Sequence, residues 1–240
     1  MTGHLKRLVA PGSWHISKKT NVYVTKTAPG PHNSYAMPMG VWLRDHMGYA
    51  LTLREAKQIL NARSIIVNGC AVTDPRMGIG IFDIVSIPSI GRQYRILIDD
   101  SGYLCSREIT PEEAKTRLCK IRNKTIVPGG KVQLNLLYGA NILADNTYKP
   151  KDSVIVSLGE EDRFTILGHI PFAGGNYAMV IGGRHSGRIG KIVEIMKMQG
   201  NVPNRVILED EADKSRFDTI EEYIFMVARD AAAAALWGAA

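Results

Sequence analysis

The chain has 240 residues, of which 45% are hydrophobic, so it can bury one large core or two to three small ones. Its 23 glycines and 11 prolines favour short strands joined by many turns. The net charge of +7 is unevenly distributed: residues 209–240 hold eight acids and three bases, a net charge of −5, which leaves +12 for residues 1–208. This asymmetry indicates a polyanionic partner. Because no basic amphipathic helix with a wide apolar face accompanies it, nucleic acid is favoured over a membrane surface.

The cysteines and the apolar segments exclude further classes of protein. The three cysteines show no C-x-x-C spacing, so we expect buried thiols in a reducing compartment rather than a disulfide framework or a zinc site. No apolar segment of the signal-peptide type follows Lys6 and Arg7, so we expect no secretory signal. Residues 164–183 contain no Lys, Arg, Asp or Glu, but Pro171 and the Gly174-Gly175 pair predict two strands around a turn and not a membrane span.

Residues 1–38 form a basic N-terminal arm with scattered apolar residues. Such a segment cannot bury enough apolar surface to fold by itself, so we expect it to be disordered or to be ordered by a partner. Its aromatic residues are interspersed among bases, a pattern that suits base stacking together with phosphate neutralisation. We therefore predict RNA contact through the arm, with Lys6, Arg7, Trp14, Lys18 and Lys19 as the candidates and Tyr23 and Tyr35 as further aromatic residues.

A helix with its own start signal begins the segment that organises the chain, residues 51–88. Thr52 at the N-cap and Glu55 three residues later form a capping box, which predicts a helix over Thr52–Arg63. At 100° per residue its apolar residues fall within one arc, and Arg54 and Lys57 fall on the opposite side. One face of this helix can therefore pack, and the other face is basic.

The strands of the same segment follow the helix in a defined order. Two apolar runs, 65–67 and 70–72, are separated by Asn68-Gly69, a dipeptide that tolerates the positive φ angles of a two-residue hairpin turn. A third apolar run, residues 81–87, contains Asp83 and can return to the same sheet. The segment is predicted to be a short helix packed on a small, twisted β element.

This order resembles the S-four RNA-binding module, whose basic helices lie on structured RNA. The first helix of the module would span Met39–Met47 and end at Gly48. The module usually has a glycine before the Asp of its last strand, and Phe82 occupies that place here. We assign residues 39–90 to such a module. The resemblance implies RNA contact at its basic positions, which are Arg44, Arg54, Lys57 and Arg63.

Residues 91–172 are predicted to form a central β-rich domain. Period-two alternation indicates a strand over Arg92–Asp99, and residues 110–113 combine an N-cap, a proline and a capping-box Glu, which predicts a helix over Pro111–Lys120. From Thr125 onward, short alternating strands with Gly-rich punctuation indicate a small barrel or an open sheet. One basic cluster is either a solvated face or a binding site: Arg117, Lys120, Arg122 and Lys124.

A Gly-rich loop separates two strand-like runs, residues 177–181 and 189–195. Its glycines let the chain turn tightly and let the backbone approach a phosphate closely. The spacing of apolar residues and glycines from Val180 to Ile192 resembles the KOW motif, part of an SH3-like barrel found in ribosomal proteins and transcription factors. We assign residues 173–210 to this domain and residues 211–240 to an acidic and alanine-rich tail. The loop supplies three candidate phosphate contacts, Arg184, Arg188 and Lys191.

Several known functional motifs do not fit this chain. The Gly190-Lys191 pair lacks both the preceding glycine and the following Ser or Thr of a Walker A loop. Residues 187–190 match the GxxG of a KH loop, but their flanks have the pattern of strands rather than helices. No catalytic carboxylate, nucleophile–base pair or metal cluster stands out. We therefore expect no enzymatic activity, no cofactor, no metal and no small-molecule substrate.

Segments distributed along nearly the whole chain resemble one family. They include residues 4–8, 30–32, 54–56, 130–135, 141–143, 182–184 and 220–223, and they follow the order seen in small-subunit ribosomal protein four of the archaeal and eukaryotic type. The resemblance runs from about His4 to Val227. It implies an α+β protein with a basic arm, an S-four-like module, a central β-rich domain and a C-terminal SH3-like KOW barrel.

The same resemblance implies a function. A member of this family is expected to be a non-enzymatic constituent of the small ribosomal subunit that binds small-subunit rRNA in assembly and translation. Its partners would be small-subunit rRNA and neighbouring small-subunit ribosomal proteins, and its location would be the cytoplasmic ribosome. One competing interpretation is a KOW-containing transcription or antitermination factor that binds polymerase and nascent RNA transiently. A second is an RNA-modifying enzyme, which would require a catalytic acid or nucleophile.

Overall fold

The computed structural model describes residues 4–32, 36–159, 162–211 and 213–238, and strands dominate its mixed α/β structure. The chain divides into two compact units. The first unit comprises residues 1–96, 103–117 and 158–161, and the second comprises residues 97–102, 118–157 and 162–240.

The first unit contains short strands and two helices. Its strands, in chain order, are β1 Leu5–Lys6, β2 Tyr23–Val24, β3 Met37–Pro38, β4 Ile66–Val67, β5 Cys70–Ala71, β6 Gly78–Ile79, β7 Ile84–Ile87, β8 Arg92–Ile98 and β9 Leu104–Glu108. Its helices are α1 Met39–Val41 and α2 Leu53–Asn61. Five strands form a sheet in the order β5-β4-β7-β8-β9, and β1-β2 and β3-β6 form separate antiparallel pairs.

Helix α2 begins as its capping box predicts. The Glu55 N–H donates to Thr52 Oγ1 at 3.2 Å, and the Glu55 carboxylate accepts from the Leu51 N–H at 2.8 Å. The latter hydrogen bond is the main reason why the pKa of Glu55 lies below its ordinary value. Ala56 and Leu60 are fully buried, so the predicted apolar face packs against the unit.

The segment before α2 is helical but not regular. Helix α1 continues into a π-helical segment, Trp42–His46, in which the Met47 N–H donates to the Trp42 carbonyl at 3.0 Å. The predicted stop at Gly48 is present, with φ of +67°. The helix predicted over Met39–Met47 therefore has the predicted extent, but its second part is π-helical and not α-helical.

The Asn68-Gly69 turn joins β4 and β5 with φ angles of +49° and +79°, as predicted for a two-residue hairpin. Asn68 also fixes the last strand of the module. Its Oδ1 accepts from the Ile84 N–H at 3.0 Å, and its Nδ2 donates to Asp83 Oδ1 at 2.8 Å. The turn therefore sets the pairing of β4 with β7.

Asp83 is the centre of a buried ionic cluster. Arg117 Nη2 lies 2.6 Å from Asp83 Oδ1, and His32 Nε2 lies 2.7 Å from Oδ2, which also accepts from the Gly80 N–H at 3.0 Å. All three ionisable side chains are buried. Burial by itself raises the pKa of Asp83, but the attraction of Arg117 and His32 outweighs burial and lowers it from 3.8 to about 2.

Phe82, at the place where the predicted module usually has a glycine, adopts a left-handed backbone conformation. Its φ is +63°, in the left-handed region, and its N–H donates to the Ile96 carbonyl at 2.8 Å. This conformation costs a non-glycine residue about 1–2 kcal/mol. The ring is 1% exposed, and full burial of a Phe side chain contributes about 1.5–3 kcal/mol, which offsets the strain.

The second unit contains two five-stranded sheets. Its strands are β10 Thr116–Ile126, β11 Val132–Leu136, β12 Asn141–Ala144, β13 Ser153–Ser157, β14 Ile166–Ile170, β15 Tyr177–Val180, β16 Ile189–Met196, β17 Arg205–Glu209, β18 Arg216–Ile220 and β19 Ile224–Ala228, followed by helix α3 Ala231–Ala235. The first two residues of β10, Thr116 and Arg117, belong to the first unit. The sheet orders are β12-β11-β10-β13-β14 and β18-β17-β16-β15-β19. The first sheet covers a core cluster of Cys119, Ile121, Leu134, Leu136, Ile142, Val154 and Val156.

The helix predicted over Pro111–Lys120 is wrong. The capping box forms, since the Thr110 N–H donates to the Glu113 carboxylate at 3.2 Å, but only a 3₁₀ turn over Glu113–Lys115 follows. The chain then enters β10, which buries Leu118 in the interior. Sheet pairing and burial outweigh a single local cap, because an isolated helix of this length is marginal.

Two of the sheets extend across the predicted domain boundaries. Strands β8 and β9 were expected in the central domain, but they extend the sheet of the S-four-like module. Residues 216–228 were expected in the tail, but they supply β18 and β19 to the sheet of the KOW motif. A sheet assembles from distant segments, so its edges are not visible in a local pattern.

The basic cluster of the central domain separates into residues with different roles. Arg117 belongs to the Asp83 cluster, and the buried Lys120 donates through Nζ to the carbonyls of Glu222 and Ile224. Desolvation lowers the pKa of Lys120 to about 8. These two bases are structural and not part of a solvated face.

Two smaller expectations concern the thiols and the membrane. Cys119 is buried as expected, whereas Cys70 is exposed, because it lies in the edge strand β5. No helix in the described ranges is long and apolar enough to cross a membrane.

We predict that Asp83→Asn lowers the free energy of unfolding by about 3–5 kcal/mol at pH 7, because it leaves the buried Arg117 guanidinium without its counter-charge. The wild-type contribution is fully present above the unfolded pKa of 3.8 and is lost as the pH falls toward about 2. Urea denaturation at pH 7 and at pH 3 measures both effects. Asp145→Asn, at an exposed carboxylate, is the matched control. Equal stability of Asp83→Asn and wild type at pH 7 would contradict the role of the cluster.

Candidate RNA interface

Two predicted RNA-contacting residues of the arm are buried. Arg7 Nη2 lies 3.2 Å from Asp45 Oδ1, and Arg7 Nε donates to the Ser17 carbonyl. The indole N–H of Trp14, which is 1% exposed, donates to the Ala36 carbonyl at 3.0 Å. The described part of the arm is therefore ordered by its own chain, contrary to expectation. Arg7 and Trp14 hold it in place and do not present their side chains to a partner.

The other predicted contact residues of the arm face solvent. Lys6, Lys18 and Lys19 are exposed. Tyr23 is 54% exposed and packs against the His4 ring at a centroid distance of 5.2 Å. Tyr35 lies outside the described residues. The exposed lysines and Tyr23 keep the combination of charge and aromatic surface that the sequence predicts for RNA contact.

Helix α2 presents its basic face to solvent. Arg54 and Lys57, one turn apart, are exposed, and Arg63 is exposed just beyond the end of the helix. Arg44 is half-buried, and its Nη2 lies 2.8 Å from Asp45 Oδ2. Burial raises the pKa of Asp45, but hydrogen bonds from Arg44 and Arg7 outweigh it and lower the pKa below its ordinary value. The charge of Arg44 is therefore partly neutralised within the protein.

The Gly-rich loop connects β15 and β16, and it presents its bases to solvent. Arg184, Arg188 and Lys191 are all exposed. The Arg188 guanidinium lies 5.9 Å from the centroid of the Phe217 ring, and the His185 ring lies 4.9 Å from the same ring. The Phe217 ring on β18 therefore packs against Arg188 and His185 of the loop. The sequence analysis missed this role because it placed Phe217 in the tail.

A groove opens beside the loop. It has a volume of about 390 Å³, and its lining includes Gly183, Arg184, Arg205, Asp218 and Tyr223. Arg205 Nη1 lies 3.2 Å from Asp218 Oδ2 on the neighbouring strand. Three of these residues, Arg205, Asp218 and Tyr223, were not among the predicted site residues. Asp218 and Tyr223 lie in residues 211–240, which the sequence analysis assigned to the tail, and no local motif singled out Arg205.

Gly187 is required for packing rather than for approach to a phosphate. Its φ is +90°, and a Cβ at this position would lie 2.0 Å from the Asp99 carbonyl oxygen and 2.8 Å from the Asp100 nitrogen. Its own N–H donates to the Val180 carbonyl at 2.8 Å. The loop therefore fits against the 99–102 turn of the same unit only without a side chain at residue 187.

The exposed bases form surfaces suited to a polyanion. The predicted contacts form three groups of exposed bases, on the arm, on α2 and on the Gly-rich loop. Within the described ranges, no group of three or more His, Cys, Asp or Glu side chains could hold a metal ion.

Comparison with known proteins identifies the family. The Ribosomal family S4e model matches residues 90–163, the RS4NT domain matches residues 1–34, and the KOW motif matches residues 175–209. The small ribosomal subunit protein eS4 of Methanospirillum hungatei is 52% identical over 99% of both chains. The protein of the same name from Archaeoglobus fulgidus is 42% identical over 94% of this chain and 93% of its own. The chain belongs to the ribosomal protein S4e family.

A solved member of the S4e family has the same fold. The crystal structure of the 30S ribosomal protein S4e from Thermoplasma acidophilum superposes with a TM-score of 0.67 at 27% identity, over 81% of this chain and 95% of that chain. The predicted family and the predicted α+β fold with a C-terminal KOW motif are therefore confirmed. S4e proteins are ribosomal proteins and not enzymes, and the matches do not favour the transcription-factor interpretation.

We predict that Gly187→Ala lowers the free energy of unfolding by at least about 2 kcal/mol, because the new methyl group meets backbone atoms that cannot move away and the positive φ disfavours alanine. Thermal unfolding of the purified protein measures the effect. Gly12→Ala is the control, since a Cβ there has nothing within 4 Å. A Gly187→Ala variant that unfolds at the wild-type temperature would show that the loop does not pack in this way.

Proposed function

We propose that this protein is a structural constituent of the small ribosomal subunit that binds small-subunit rRNA during assembly and stays in the translating ribosome in the cytoplasm. The observation that carries the proposal is 52% identity, over 99% of both chains, to a protein named small ribosomal subunit protein eS4. The charge of +12 in residues 1–208 supports a polyanionic partner.

The phosphate contacts are made by exposed bases. Each Lys or Arg that neutralises a phosphate releases condensed counterions, which favours binding at low salt. Arg44 contributes less because Asp45 already neutralises part of its charge. The proposed contacts are Lys6, Lys18, Lys19, Arg54, Lys57, Arg63, Arg184, Arg188 and Lys191.

Neighbouring small-subunit ribosomal proteins are the second class of partner. Leu8, Val9 and Val22 of the arm are 66%, 69% and 70% exposed. The Arg7 N–H donates to the Val22 carbonyl at 2.9 Å, which brings these apolar residues to one part of the arm. Covering such a patch is favourable, so we place a protein contact there.

Sedimentation of a cell lysate through a sucrose gradient tests the function. We expect the protein to comigrate with small subunits in a one-to-one ratio with other small-subunit proteins, and to remain bound after a wash at moderate salt. Recovery near the top of the gradient, or substoichiometric binding that the wash removes, would refute the assignment.

We predict that the triple variant Arg54→Ala, Lys57→Ala and Arg188→Ala binds small-subunit rRNA more weakly than wild type. The slope of log affinity against log salt should decrease by roughly 2–3, since each lost phosphate contact removes about 0.7–0.9. Filter binding over a salt series measures the slope.

A charge-matched control separates specific contacts from net charge. The exposed residues Lys115, Lys149 and Lys214 lie outside the proposed contacts, and their triple alanine variant should keep most of the wild-type slope. Equal slopes for the two triple variants would mean that the binding responds to overall charge and not to this interface.

A further inference from the structure

The outer face of strands β10, β11 and β12 carries a grid of amide side chains that no phosphate contact above uses. The strand register aligns Asn123, Asn135 and Asn141 in one row. It aligns Thr125, Gln133 and Leu143 in the next row. The residues between them, such as Leu134 and Ile142, point to the core on the other face. We call these six residues the amide face.

Hydrogen bonds between the side chains orient the amide face. Asn135 Nδ2 donates to Asn123 Oδ1 at 2.9 Å, and Asn135 Oδ1 accepts from Gln133 Nε2 at 2.7 Å. A primary amide offers two N–H donors and two acceptor lone pairs, so each side chain in this ladder keeps capacity for a further partner. The ladder therefore holds donors and acceptors in fixed directions at low entropic cost.

The charge around the amide face favours a polyanion. Residues 122–144 contain three bases and no acid. Arg122 and Lys131 are exposed beside the face, and Lys124 donates through Nζ to Asn146 Oδ1 at 2.8 Å. The face itself is uncharged, so it is suited to hydrogen bonding between flanking ionic contacts.

The chemistry of the amide face fits RNA better than protein. Protein interfaces are enriched in aromatic residues, Met and Arg at their centre, and Leu143 is the one apolar member of the six. The minor groove of A-form RNA is wide and shallow, and it displays 2′-hydroxyls and base edges that both donate and accept hydrogen bonds. Three strands about 4.8 Å apart give a nearly flat surface about 10 Å across, which a shallow groove can receive.

We propose that the amide face docks in the minor groove of a small-subunit rRNA helix, where its amides bond 2′-hydroxyls and base edges while Arg122 and Lys131 contact the flanking phosphates. This inference rests on the proposed function, since it names a second, differently built contact with the same RNA. It differs from the basic groups in its salt dependence, because an amide neutralises no phosphate.

The test is the triple variant Asn123→Ala, Asn135→Ala and Asn141→Ala in the full chain, with deproteinised small-subunit rRNA as the probe. We expect affinity to fall at least about tenfold at every salt concentration, with an unchanged salt slope. Excess duplex RNA should compete with the wild-type protein more strongly than duplex DNA of the same sequence, because only RNA carries the 2′-hydroxyl.

Controls make each outcome decisive. Gln199→Ala with Asn201→Ala removes two exposed amides outside the sheet and should leave affinity unchanged. Should the triple variant not reach the wild-type unfolding temperature, Asn141→Ala on the edge strand replaces it, with an expected loss of about threefold. Wild-type affinity in a folded variant, or a reduced salt slope, overturns the inference. Absence of rRNA binding by the wild-type protein would instead refute the proposed function.

Discussion

One buried carboxylate organises the first unit of this protein. Asp83 binds Arg117 from the start of β10, His32 from the arm and Asn68 from the hairpin turn. A charge in the interior is tolerated only when other groups compensate it, so these contacts must form together. The carboxylate thereby joins segments that lie far apart in the sequence.

The basic surface of the module depends on which side chains its interior buries. Helix α2 packs against α1 and the π-helical segment Trp42–His46, and its apolar side buries Ala56 and Leu60. Its polar side then faces solvent with Arg54 and Lys57 exposed. In the arm, Arg7 and Trp14 are likewise buried, whereas Lys6, Lys18 and Lys19 are exposed. The basic surface is thus held by a rigid interior, which limits the entropy that binding must remove.

The second unit carries two kinds of polar surface. The Gly-rich loop presents guanidinium groups beside an aromatic ring and a groove, which suits phosphates and unstacked bases. The sheet of β10–β12 presents amides whose positions are set by strand register and mutual hydrogen bonds. Charge supplies affinity that salt weakens, whereas directed hydrogen bonds respond to the shape and sugar of the nucleic acid.

The features that could be predicted from the sequence are those that depend on neighbouring residues and on family pattern. These include the cap of α2, the Asn68-Gly69 turn, the glycine loop of the KOW motif and the S4e family. The cap and the turn depend only on contacts within a few residues. The KOW loop and the family are predicted from the spacing of motifs in a single sequence. Most of the predicted basic site residues are exposed for a similar reason, since a lone cation is rarely buried.

Which residues are buried and which strands pair depends on contacts between distant segments and could not be predicted from the sequence. Arg7 and Trp14 are residue types that suit RNA contact, but both side chains are buried here. Arg7 pairs with Asp45, and Trp14 donates to the Ala36 carbonyl. The segment after Thr110 has the capping box of a helix, but pairing β10 in a sheet stabilises the chain more than a short helix would. Burial and sheet pairing are formed between residues far apart in the chain, so their free energy cannot be read from any local window.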